Sequence, residues 1–187
     1  MRCFVALEVD EHCRKNLWDA IVKIREVAGE QKWVKPENLH LTLKFIGNLN
    51  KRQLPAVCEG LKSVCEQTAP FVMEVGGIGS FPPKGRPKIV FASVSEASGE
   101  LQKLGDWVDD ELAGRADVKR ERRAFVPHIT LCRVKGKSTC PTAVGLSKAL
   151  GEDYFGSVSV DEMVLMQSSL RASGPQYSVL ERFQLKG

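Results

Sequence analysis

The stretch "NLHLTLKFIG", residues 38–47, alternates polar and apolar side chains, with His40 and Thr42 set between Leu39, Leu41 and Leu43. That period of two belongs to a strand with one face against a core. Side chains at i and i+2 of a strand point the same way, about 7 Å apart along the chain. His40 and Thr42 therefore share one face, and Leu41 and Leu43 pack on the other. Taken alone, such a pattern is most simply a structural histidine. A second copy changes that. "VPHITLCRV", residues 126–134, puts His128 two positions before Thr130 in the same apolar frame, 88 residues further on. The chain has three histidines and five threonines, so chance would seldom give two of those histidines a threonine at +2.

Around the two motifs the order of elements repeats. "RCFVALEV" at 2–9 reads as a strand, and 11–29 has helical spacing through Leu17, Ile21, Ile24 and Val27, ending at Gly29. The first motif strand is followed by a helix over 51–67 and by "FVMEVGGIGSF" at 71–81, a strand with a glycine interruption that signals a bulge or bend. After a Pro- and Gly-rich loop the sequence starts again: a strand at 88–94, a helix near 98–113, the second motif strand, a helix near 142–150 and a strand at 157–168. A closing strand is expected at 176–185. The units at about 2–81 and 88–169 thus predict one α+β domain over 1–187, with two lobes related by a pseudo-twofold axis. The two motif strands would face a shared cleft between them. No linker separates independent domains.

Composition sets the remaining bounds. Hydrophobic residues are 43% and charged residues 27% of 187, the balance of an ordinary globular protein. No apolar run approaches the ~20 residues that span a bilayer, and the apolar start turns acidic too soon for a signal peptide. A cytoplasmic protein without membrane attachment is expected. Six cysteines form no C-x-x-C pair and read as reduced, mostly buried thiols, with Cys132 a weak candidate nucleophile. The net charge of +4 is compatible with a polyanionic partner. Basic runs at 84–88 and 119–123 are either solvated loops or phosphate-attracting surfaces.

Paired motifs suit phosphodiester chemistry. Histidine titrates near pH ~6.5, so one copy can take a proton while the other gives one. Threonine hydroxyls can donate to non-bridging oxygens as charge builds on phosphorus. Nothing in the sequence suggests a metal site, since H-E-x-x-H is absent and threonine is not a usual zinc ligand. No cofactor is expected. Lys44 shares the His40–Thr42 face if the strand stays regular, as phosphate ligand or as solvated lysine. Arg133 lies at an odd offset from His128 and needs a bulge or twist to reach the cleft. Phe45 faces the leucine side and reads as core. Trp33 and Trp107 read as packing residues, and His12 as a surface histidine.

These residues resemble the 2H phosphoesterases, and most closely their RNA 2′,3′-cyclic phosphodiesterase branch, also called the 2′–5′ RNA ligase family. The resemblance covers essentially the whole chain. It runs through "RCFVALEV", "WVKPENLHLTLKFIGNL", "GIGSFPPKGRPKIVF", "FVPHITLCRV" and "LMQSSLRASGPQYSVL". It implies a bilobal α+β fold with antiparallel sheets lining a central cleft and helices outside, and hydrolysis of RNA 2′,3′-cyclic phosphate ends to 2′-phosphates. A reverse reaction would join RNA ends through a 2′–5′ linkage without ATP. It further implies His40 as proton donor to the leaving 3′-oxygen and His128 as the base that activates water, with Thr42 and Thr130 on the phosphate. Arg133 matches a basic residue that follows the second motif, and Tyr177 a ring near the ligand. Lys88 stands where the family often has arginine, and lysine cannot make a bidentate phosphate contact. The expected partner is RNA with a cyclic phosphate end, or a related nucleotide, bound by a monomer. Alternatives are a phosphodiesterase for 2′–5′-linked oligonucleotides or small cyclic nucleotides, and a non-catalytic RNA- or nucleotide-binding module.

Overall fold

Leu41 and Ile129, the central apolar residues of the two motifs, are fully buried and face each other across neighbouring strands. The sheet is built outward from this pair. A computed structural model describes residues 1–136, 140–172 and 174–187. In chain order its elements are β1 (Arg2–Glu8), α1 (Glu11–Ala28), β2 (Lys32–Trp33) and, after a 3₁₀ turn at Pro36–Asn38, β3 (His40–Asn48). There follow α2 (Leu54–Glu66), β4 (Phe71–Phe81), β5 (Ile89–Ser95), α3 (Glu100–Ala116) and β6 (His128–Arg133). The chain ends with α4 (Ala143–Leu150), β7 (Tyr154–Val160), β8 (Glu162–Arg171) and β9 (Gly174–Gln184). The described strands form one antiparallel sheet in the order β7-β4-β5-β6-β3-β1-β8-β9, with β2 on β6.

The sheet has two halves, β7-β4-β5-β6 and β3-β1-β8-β9, joined where Leu41 pairs with Ile129. Each half draws strands from both sequence units: β1 lies beside β3, but β4 crosses to pair with β5. The segment read as one strand at 157–168 is two strands. Exposed Asp161 separates β7 from β8, which lie in opposite halves of the sheet. Helices α1 and α4 pack together over the β4–β7 half, while α2 and α3 pack together against β9 and β3.

Apolar periodicity decides which helix face is covered. In α1 the buried residues are Cys13, Leu17, Ala20, Ile21, Ile24 and Ala28, the stripe of a 3.6-residue period. Asp10 starts this helix by accepting a hydrogen bond from the Cys13 amide, and Gly29 ends it at a φ of 65°. One continuous core beneath the sheet joins residues of all four helices and both motif strands. On the opposite face Phe4, Ala6, Val164 and Met166 form a small buried cluster, with Tyr177 against it. No described helix is long and apolar enough to cross a membrane.

Both motif strands carry the same irregularity. In β3 the register against β1 skips Leu43, so that Ala6 pairs with Thr42 and Val5 with Lys44. In β6 the register against β5 skips Leu131, so that Phe91 pairs with Thr130 and Val90 with Cys132. One extra residue in a strand reverses the alternation beyond it. Leu43 and Lys44 are therefore both buried, as are Leu131 and Cys132, and the following Phe45 and Arg133 come out exposed.

Candidate active site

Both motif histidines are anchored through the same ring nitrogen. His40 Nδ1 lies 2.8 Å from the Asn38 carbonyl oxygen, and His128 Nδ1 lies 2.7 Å from that of Val126. A carbonyl can only accept, so Nδ1 must carry the proton in each ring. Each Nε2 is then free to exchange a proton. Thr42 Oγ1 stands 3.1 Å from His40 Nε2 and donates to it while that ring is neutral. Protonating His40 ends this donation and releases the hydroxyl for another acceptor.

Aromatic side chains hold each imidazole. Phe4 stacks on His40 at 4.9 Å between ring centroids, and Tyr177 meets it edge-on at 5.3 Å. On the other half, Phe81 and Phe91 each lie 5.1 Å from His128. Gly79 permits this second wall. It is the cross-strand partner of Phe91, and a Cβ there would come within 2.2 Å of the Phe91 ring.

The register around Leu41 and Ile129 sets the geometry of the pair. Continued by one residue on each side, it puts His40 opposite Thr130 and Thr42 opposite His128. The histidines are then diagonal neighbours, about 7–8 Å apart in a regular ladder and somewhat less at Cβ. A phosphate fits between side chains at that spacing. Burial is the main cause holding His40 below the ordinary imidazole pKa, and His128 adds to it. The Asn38 carbonyl and the Glu8 carboxylate act the other way on His40. Burial also lowers the pKa of His128, with Arg133 adding to the effect and the Val126 carbonyl opposing it.

The structure brings His40, Thr42, His128, Thr130, Arg133 and Tyr177 to this one face of the sheet. Arg133 arrives there through the β6 bulge, as its odd offset from His128 requires. Its charge also reaches Tyr177, where it partly offsets the upward shift that burial gives the phenol. Lys44 is a correction. The matching β3 bulge turns it away from His40, and its side chain is 4% exposed, paired with Asp109 of α3 and bonded to the Lys119 carbonyl at 2.6 Å. It is neither a phosphate ligand nor a solvated lysine in this arrangement.

Phe45 is a second correction. The sequence pattern assigned it to the core, but it is 62% exposed on the cleft side, 6.2 Å from the Phe4 ring. Trp33 packs against the core as expected, whereas Trp107 is 43% exposed. Lys88 is exposed immediately before β5, where its carbonyl accepts from the Val134 amide. His12 is exposed on α1 beside Asn16. Cys132 is fully buried and its thiol is pushed up to about 12 by burial, the opposite of the lowered pKa that activates a nucleophilic cysteine. Among the described residues, no group of three or more His, Cys, Asp or Glu side chains could hold a metal ion.

Comparison with known proteins identifies relatives with the same architecture. A family model described as LigT like phosphoesterase matches residues 7–91, which include the first motif. An RNA 2′,3′-cyclic phosphodiesterase of Archaeoglobus fulgidus is 35% identical over 184 residues, 98% of this chain and 100% of that protein. One of Aquifex aeolicus is 33% identical over 156 residues, 83% of this chain and 82% of that protein. Among solved structures, TT0787 of Thermus thermophilus superposes with a TM-score of 0.83 at 32% identity, covering 100% of this chain and 99% of that one.

Proposed function

The chain belongs to the LigT-like phosphoesterase family, and we propose that it hydrolyses RNA 2′,3′-cyclic phosphodiester ends by passing protons between His40 and His128. The observation that carries this reading is the matched anchoring of the two imidazoles, each with Nδ1 on a backbone carbonyl, on strands that meet at Leu41 and Ile129. A binding module would need no such pair.

In the proposed reaction the cyclic phosphate sits between the two rings. His128 Nε2 takes a proton from water as the water oxygen bonds to phosphorus. The P–O3′ bond breaks on the opposite side, and His40 Nε2–H protonates the departing 3′-oxygen. The product is a 2′-phosphate with a free 3′-hydroxyl, and solvent resets the two rings. Thr42 and Thr130 donate to the non-bridging oxygens, whose charge grows in the transition state. Arg133 adds a cation at the same oxygens, and Tyr177 supplies a wall for the nucleotide. With an RNA 5′-hydroxyl in place of water, the same steps give a 2′–5′ linkage without ATP.

Both histidines come from one chain, which supports a complete active site in a single bilobal domain and a monomeric enzyme. All six cysteines are free thiols, which supports a reducing, cytoplasmic setting. No step in this scheme calls for a metal or cofactor. Turnover of a cyclic-phosphate-ended RNA is therefore expected to persist in excess EDTA. Retention of the ligand without consumption would make the protein a binding module. Loss of turnover in EDTA, restored by a divalent cation, would overturn the metal-free scheme.

A further inference from the structure

The two halves of the cleft match in backbone and differ in charge. Glu8 is the cross-strand partner of His40, and Ser93 occupies the equivalent place beside His128. Direct partners in an antiparallel pair project to the same face, their Cβ atoms about 4.5–5.5 Å apart. Beyond the bulges the difference continues, with Phe45 on the first strand where the second has Arg133. The first histidine therefore has a carboxylate for a neighbour and the second a guanidinium.

Glu8 is held in place. Its Oε2 accepts a 2.6 Å hydrogen bond from Arg182 Nη1, and the same guanidinium pairs with Glu162. Arg182 stands opposite Val164 on β8, which in turn stands opposite Ala6 on β1, so the clamp spans three adjacent strands. The two carboxylates and one guanidinium sum to one negative charge at the end of the cleft nearest His40.

We propose that Glu8, clamped by Arg182, is the positioning residue that makes His40 rather than His128 the proton donor. The inference rests on the acid–base reading of the cleft above. His40 is the more deeply enclosed of the two imidazoles, and enclosure discourages an imidazole from holding a proton. A donor in that position needs a compensating negative charge. The titratable or charged groups facing His40 are Glu8 on β1, His128 on β6 and Tyr177 on β9, with Arg182 and Glu162 acting through Glu8. Of the three that face it directly, Glu8 alone favours the charged ring at neutral pH. At His128 the nearby Arg133 has the opposite effect and favours a neutral ring, the form a base requires.

The test compares wild type, Glu8→Gln and Glu8→Asp in the pH dependence of kcat/KM on a nucleoside 2′,3′-cyclic phosphate. Imidazole titrations of both histidines by NMR accompany it. Glutamine keeps the shape of Glu8 and removes its charge. If His40 is the acid, its proton is lost at lower pH in Glu8→Gln. The alkaline limb then moves down by about half a unit to one unit, since Arg182 and solvent moderate the carboxylate. The acid limb and the titration of His128 should stay in place, and Glu8→Asp should remain near wild type. Unchanged limbs and titrations would overturn the role of Glu8 while leaving the two-histidine mechanism intact. A downward shift of the acid limb instead would identify His40 as the base and overturn the assignment of roles itself.

Discussion

Replacing either cleft histidine with alanine is expected to lower turnover of a cyclic-phosphate-ended RNA by roughly 10²–10⁴-fold, the usual contribution of a general acid or base. His40→Ala leaves the 3′-oxygen to depart without a proton, and His128→Ala leaves water to attack without losing one. Both rings sit on the cleft face of the sheet, outside the main core beneath it, so alanine should leave the fold in place. Because acid and base serve one displacement, the double variant should lose less than the product of the two single losses. Circular dichroism checks the fold and single-turnover kinetics the chemistry. Near-wild-type turnover in either folded single variant would refute the paired-histidine scheme.

The second large effect concerns stability. Lys44 keeps a charged ammonium under the sheet with two partners, the Asp109 carboxylate and the Lys119 carbonyl. Asp109 is itself 19% exposed at its side chain and also accepts from the Glu121 amide at 3.0 Å, so it ties the basic 119–123 loop to α3. Asp109→Ala leaves the ammonium buried with one carbonyl. Removing one partner of a buried ion pair typically costs about 3–5 kcal/mol, and the partial exposure of Asp109 puts the expected loss at the lower end of that range. The urea midpoint should fall accordingly with the slope unchanged. Lys44→Met should cost less, because the stranded carboxylate can reach water. In both variants the KM for a cyclic mononucleotide should stay near wild type. A large rise in KM for folded Lys44→Met would instead return that residue to the phosphate site.

Both corrections at the site trace to one physical cause. The motif residues were legible because a half-buried strand alternates with period two, and His40, Thr42, His128 and Thr130 obey it. The bulges after Thr42 and Thr130 break that period without a signature in the side chains. Lys44 and Phe45 therefore exchanged faces relative to the regular strand, while Arg133 met the condition its offset imposed. The aromatic walls were hidden for another reason. Phe4, Phe81 and Phe91 look like any strand hydrophobes until pairing brings them against a histidine. Nor could element order alone show that β4 would cross to β5, or that β7 and β8 would part at Asp161. Such pairings depend on contacts far apart in sequence. The charge asymmetry of the cleft belongs to the same class, since it needed the partners of His40 and His128 to be known.

The most direct test of the central claim is the identity of the bond that breaks. A 2′,3′-cyclic phosphate can open toward either oxygen, and the side on which the acid stands decides which leaves. Digesting an oligonucleotide with a cyclic phosphate end and resolving the 2′- and 3′-monophosphate products against standards reads this choice. With His40 protonating the 3′-oxygen and His128 activating water, the product should be predominantly the 2′-phosphate. A predominantly 3′-phosphate product would contradict the account by reversing the two histidines.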